Sequence, residues 1–136
     1  PVQCEYLSLR GLAQLSQTLE QVREHLNPEV HIFGILPTMY DGRTMHCREA
    51  VDVLVDNWGD TVFRTRIGKT VRFAEAPVQG KSILSYDSSG QAARWYRQLC
   101  REVLERDGVW TDDLERLRRP VRDVRPQSGA SLRLAS

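Results

Sequence analysis

Nowhere in its 136 residues, nine of them glycine, does the chain carry a glycine-rich loop closed by a lysine of the kind that cradles phosphates. That absence excludes tight holding of a nucleotide by its phosphates within these residues. The sequence also has no run of about eighteen apolar residues and no charged-then-apolar leader. Neither a membrane span nor a signal peptide is therefore expected, and a soluble protein is. Cys4, Cys47 and Cys100 are odd in number, far apart and outside any Cys-x-x-Cys spacing. This excludes a disulfide framework and predicts free thiols in a reducing, cytoplasmic compartment. The cysteines and His25, His31 and His46 lack metal-ligand spacing, so no metal site is expected. Nor is there an excess of one charge: 19 basic against 18 acidic residues give +1, which marks no nucleic-acid partner. The distribution is less even. From residue 116 onward six arginines face only Asp123, a local +5 that leaves −4 on the first 115 residues.

What is present is enough apolar residue, 40%, for one buried core. Leu9, Leu12, Leu15, Leu19, Val22 and Leu26 recur at steps of three and four, predicting an amphipathic helix that starts at a Ser8 cap and stops near Asn27-Pro28. A buried parallel strand is expected over 30–36, with Gly34 allowing close backbone approach. A second helix should run from Thr44 to about Gly59, on the spacing Cys47, Ala50, Val51, Leu54, Val55 and Trp58. A short strand is expected over 62–67. Residues 68–81 read as a structured loop with one helical turn near 71–74, and Ile83-Leu84 as a short extended piece. A third helix should follow the 87–90 turn, bury Ala92, Tyr96, Leu99, Cys100 and Val103 on one face, and end at Asp107-Gly108. Trp58, Trp95 and Trp110 read as packing residues. A weak helix over 110–119 and a disordered basic tail complete the expectation.

The order of elements implies an α/β fold with a partial parallel sheet, right-handed crossovers and helices on both faces. Residues 1–106 would form the folded part and 107–136 the tail. Pro1-Val2-Gln3 looks like the end of a strand whose beginning is missing, so truncation or processing is expected. The stretch 32–77 then organises the chain, because the polar clusters at its strand ends fall where such sheets bind ligands.

Three segments carry a resemblance, in order: Pro1-Val-Gln-Cys-Glu-Tyr-Leu-Ser-Leu-Arg-Gly-Leu12, Gly34-Ile-Leu-Pro-Thr-Met-Tyr-Asp-Gly-Arg-Thr44, and Val71-Arg-Phe-Ala-Glu-Ala-Pro77 with Gly80-Lys-Ser-Ile83. Over about residues 1–106 the chain resembles the C-terminal half of ParA/Soj-type partitioning ATPases. The resemblance implies a P-loop-type fold and an intact parent that dimerises around ATP and Mg2+. It also implies that the parent binds DNA non-specifically, answers to a ParB-type partner and lies in the cytoplasm on the nucleoid. The family's phosphate loop and its lysines fall before Pro1. This chain alone is therefore expected neither to hydrolyse ATP nor to bind it tightly, and no residue is assigned a catalytic role. Gly68 and Lys69 depart from the proline and arginine usual in the family, and the segment from Asp107 lies outside the resemblance.

By the same resemblance, Thr38, Met39, Tyr40 and Asp41 would lie on the base side of the nucleotide, joined by Glu75, Ala76 and Pro77. The residues alone also allow a simple turn at Asp41-Gly42 and a solvated or capping Glu75. Glu5 would sit at the dimer interface. Arg43, Lys69 and Arg72 would contact DNA phosphates, the alternative being solvated surface charges. A non-catalytic, degenerate DNA- or protein-binding module is the rival from another class. A MinD-like membrane-site regulator is disfavoured, because residues 116–136 lack an amphipathic apolar stripe.

Overall fold

A computed structural model describes residues 1–108. The chain is α/β: strand β1 (Val2–Gln3), helix α1 (Tyr6–His25), strand β2 (Pro37–Thr38) and helix α2 (Met45–Trp58) are followed by a 3-10 turn (Gly59–Thr61). Helices α3 (Arg72–Val78), α4 (Ile83–Tyr86) and α5 (Gln91–Arg106) complete it. The expected weak helix and tail from residue 109 onward lie outside the described residues.

β1 and β2 pair in parallel, Val2 with Pro37 and Gln3 with Thr38. On the other side of β2, residues 62–68 run parallel to it, with bridges Ile35–Val62 and Tyr40–Gly68. The central extended segment is therefore 35–40, displaced toward the C-terminus from the expected strand 30–36. The reason is the availability of ladder partners. The Val2 amide bonds to Leu36 O at 2.8 Å, while the Val30 amide and carbonyl are spent locally, on Asn27 O at 3.2 Å and the Arg23 side chain at 3.1 Å. Gly34 does permit a close approach, since a Cβ there would lie 2.6 Å from Phe63 Cζ.

The outer segment 62–68 is not the regular strand expected over 62–67. Between the two bridges it advances six residues while the central segment advances five, which defines a bulge. Its cause is at Pro37. Ile35 makes both regular rungs, donating to Thr61 O and accepting from the Phe63 amide, each at 2.8 Å. The next rung needs an amide hydrogen that proline does not have. Pro37 O accepts instead from the Ile67 amide at 2.9 Å. The displaced amides of Arg64 and Thr65 both turn to the Glu102 carboxylate, at 2.7 and 2.9 Å.

Leu12 of α1 and Leu54 of α2 pack on Ile35 and Val62, with Trp58 at the edge; Cys4, Ala50 and Val51 form an adjoining cluster. α1 begins three residues earlier than its Ser8 signal, with Glu5 as an extended cap whose side chain makes no capping bond. Only Leu12 of its apolar face is fully buried; Leu15 and Leu26 are exposed. α2 begins at Thr44, whose hydroxyl accepts from the Cys47 amide at 3.4 Å, and ends at Gly59 with φ 50°.

Two further expectations are corrected. The loop 68–81 holds a two-turn helix, α3, that runs through Pro77, and Ile83-Leu84 belongs to helix α4 rather than to an extended piece. Ser82 explains the latter, because its hydroxyl accepts from the Ser85 amide at 3.2 Å and starts a helical turn. α5 runs as expected, but its buried positions are Ala92, Ala93 and Glu102, while Tyr96 and Cys100 are exposed. Its inward face is rotated because a carboxylate, not an apolar side chain, meets the bulge. Arg106, one turn on, donates to Thr61 O and Val62 O at 3.0 and 2.8 Å and lies 4.1 Å from the Phe63 ring centre.

Candidate functional site

The C-terminal ends of the parallel segments open into one depression of about 610 Å³. β2 leads into it through Tyr40, Asp41, Gly42 and Arg43, and the outer segment supplies Arg64, Thr65, Arg66, Gly68 and Lys69. Trp95 and Gln98 of α5 form the remaining wall. Four cationic side chains thus face one carboxylate.

Each cation is held differently. Arg43 is paired with Asp41 through Nη2–Oδ2 at 2.7 Å, yet its side chain is 90% exposed. Arg64, also largely exposed, lies 3.3 Å from Glu105 and 3.7 Å from Glu102. Arg66 donates to the Tyr40 hydroxyl at 3.0 Å and lies 4.9 Å from that ring's centre. The Lys69 backbone is fixed by its amide bond to Tyr40 O at 3.2 Å, and its side chain is exposed. Asp41 is held low, at about 2, first by the hydrogen bond from the Arg43 side chain and then by the Arg43 amide, with smaller help from the Arg43 and Lys69 charges. The carboxylate is therefore ionised throughout the neutral range.

The residues singled out in the sequence separate into groups. Tyr40, Asp41, Arg43 and Lys69 come together at the depression. Thr38 is the last residue of β2, and Met39 follows in the left-handed region at φ 53° with its side chain 43% exposed. A left-handed non-glycine residue at a strand end is a costly conformation of the kind that collects at binding sites. Tyr40 donates its amide to Ile67 O at 3.0 Å and gives its carbonyl to Lys69, so its backbone is committed to the sheet.

Arg72 and Glu75 form an ion pair on α3 at 3.0 Å, with Asp87 3.9 Å from Arg72 and the Tyr86 hydroxyl donating to Glu75 at 3.1 Å. Ala76 is buried and Pro77 exposed on the same helix, and none of these line the depression. Glu5 caps α1 and is exposed. Arg64 and Arg66 escaped the sequence reading. Their alternation Arg64-Thr65-Arg66 at a strand end was the available signal, since alternate strand residues share a face.

No family model matches the chain. Among curated proteins, it is 46% identical over 106 residues to the chromosome-partitioning ATPase Soj of Thermus thermophilus, covering 78% of this chain and 43% of that protein. The ParA/Soj-type resemblance holds. The chain is homologous to part of a chromosome-partitioning ATPase. The chromosome partitioning protein ParA of Caulobacter vibrioides is 40% identical over 107 residues, 79% of this chain and 40% of ParA. An uncharacterized protein of Mycobacterium tuberculosis strain H37Rv is 46% identical over 109 residues, 80% of this chain and 34% of that protein. The chain thus spans between a third and a half of these relatives' lengths, and the homology carries with it the P-loop NTPase fold family. No helix among the described residues is long and apolar enough to cross a membrane.

Proposed function

We propose that this chain is the portion of a ParA/Soj-type partitioning ATPase that carries a non-specific DNA surface and part of the base side of a nucleotide site. The single observation that carries the DNA reading is the cationic depression, where Arg43, Arg64, Arg66 and Lys69 converge around one carboxylate. Guanidinium and ammonium groups on an open surface neutralise phosphates and release counterions without reading bases. Arg64 and Arg66 join the set suggested by sequence. Arg72 stands apart from it, since it lies on α3 outside the depression.

Base recognition in this reading falls to the Thr38 hydroxyl and to Met39, the Tyr40 backbone being engaged in the sheet. Glu75, Ala76 and Pro77 would approach the base from α3. In the intact protein ATP with Mg2+ would supply the switch to a DNA-binding homodimer, with Glu5 at its interface and a ParB-type protein as the regulating partner. The cell compartment in this reading is the cytoplasm, at the nucleoid.

The test is a salt series of duplex DNA binding by the full chain, with and without ATP and Mg2+. Changing Arg43, Arg64, Arg66 and Lys69 to alanine together is expected to flatten the plot of log affinity against log salt by about 0.9 per lost phosphate contact. An unchanged slope refutes the surface. Binding that is tight, sequence-selective and indifferent to salt favours the rival reading, a module that recognises a partner or a site by other means.

A further inference from the structure

Glu102 lies outside the depression, with Arg64 Nε 3.7 Å from its carboxylate, and two of the four cations depend on the backbone it holds. Along a strand alternate residues share a face, so Arg64 and Arg66 follow Val62, which is buried in the core with Leu12, Ile35 and Leu54. Full burial on that side ends at Val62. Val62 and Phe63 are consecutive buried residues; Thr65 and Ile67 are then buried, while Arg64 is exposed and Arg66 half-buried. Arg64 and Arg66 thus share one side of the segment, alternating with buried Phe63, Thr65 and Ile67, and both line the depression.

Pro37 opens the rung by lacking an amide hydrogen, and Glu102 closes it. One carboxylate oxygen accepts the Arg64 amide at 2.7 Å and the other the Thr65 amide at 2.9 Å. The carboxylate is only 7% exposed and is held from behind by Arg106 at 3.4 Å. Without it, two amides of the bulge would be unpaired, Thr65 being almost fully buried at 2%.

We propose that Glu102 is a positioning residue for polyanion binding: by clamping the Arg64 and Thr65 amides it fixes the bulge that presents Arg64 and Arg66 to DNA phosphates. The proposal rests on the DNA reading above, and a glutamine there is its sharpest probe. Glu102→Gln keeps one acceptor but sets an NH2 donor against the other backbone donor.

In the full chain, Glu102→Gln is expected to reduce the salt slope of duplex DNA binding by about two, one for each arginine misdirected. Adding Arg64→Ala and Arg66→Ala to that variant should cause little further loss. The Arg64 and Thr65 amide proton resonances should move upfield as their charge-assisted bonds are lost. A folded Glu102→Gln chain with the wild-type slope overturns the positioning role while leaving the DNA surface intact, and so does full additivity of the three changes. If Arg64→Ala with Arg66→Ala leaves binding unchanged in the wild-type background, the surface itself fails at these residues and the positioning role with it. Glu102→Asp, one methylene shorter, reaches one amide at a time and should show an intermediate slope. Rapid solvent exchange of both amides in the wild-type chain overturns the clamp even where a variant fails to fold.

Discussion

Asp41 and Arg43 close on each other across Gly42: Oδ1 accepts from Nε at 2.9 Å and Oδ2 from Nη2 at 2.7 Å, and the Arg43 amide adds a third bond to Oδ1 at 3.1 Å. The carboxylate occupies the fork of the guanidinium much as a phosphate would. With the arginine almost fully in water the pair is screened and open to exchange. An incoming phosphate must compete with Asp41 for Arg43.

Asp41→Asn removes that competitor and one negative charge from the depression. Salt-dependent duplex binding is expected to strengthen, with a slope steeper by about one. The same change made together with Arg43→Ala should lose the gain. If Asp41→Asn weakens binding on its own, the carboxylate serves to hold Arg43 in place rather than to occupy it.

Gly68 stands where the Trp95 ring crosses the end of the outer segment. A Cβ at Gly68 would fall 2.6 Å from Trp95 Cζ2 and 3.0 Å from Cζ3, and the indole is wedged in the wall of the depression. Gly68→Ala is expected to destabilise the fold by about 1–3 kcal/mol through overpacking, read from the denaturant midpoint. Trp95→Leu should recover part of the loss in the double variant, which a purely backbone effect at Gly68 would not allow.

The Glu102 carboxyl sits below its ordinary value of 4.5: burial pushes it up, but the Arg64 and Thr65 hydrogen bonds and the Arg106 charge together outweigh that. A carboxyl depressed in the folded state stabilises the fold fully above its unfolded value and loses that contribution as pH falls through the folded one. Glu102→Gln is therefore expected to cost about 1–3 kcal/mol at neutral pH. The gap between wild type and variant should narrow steadily below pH 4.5, the ordinary carboxyl value. Thermal midpoints across an acid series check this; a gap independent of pH would mean that the ionised form contributes nothing.

The Cys4 thiol is pushed up from 9.0 to about 11, first by burial and then by neighbouring Cys47, with Arg66 pulling weakly the other way. At neutral pH it should carry about a hundredfold less thiolate than an ordinary cysteine. A disulfide reagent is expected to label exposed Cys100 first and to reach Cys4 only on unfolding, as peptide mapping over time would reveal. Labelling of Cys4 at the rate of Cys100 would contradict its burial.

Sequence periodicity sufficed for the long helices, because apolar residues at steps of three and four leave little choice of structure, and Thr44, Gly59 and Asp107-Gly108 mark their ends. It failed where too few residues carry a period. α4 is four residues long, and the Ser82 cap was its only local sign. α3 was obscured by Pro77, which supplies no amide hydrogen to a helix of only seven residues. At the depression, Tyr40, Asp41, Arg43 and Lys69 were legible because each adjoins a turn or strand end. Arg64 and Arg66 were not, since the backbone that carries them is held by a carboxylate 38 residues beyond Arg64.

The same carboxylate also governs how the molecule meets its own copies. A lateral strand pairs with another chain when its row of amides is unsatisfied, the usual beginning of sheet-to-sheet aggregation. Glu102 takes two successive donors in the middle of the outer segment and places a buried charge against them. Another strand would have to displace an ionised, hydrogen-bonded side chain to dock there, so the device that breaks the ladder also guards that edge.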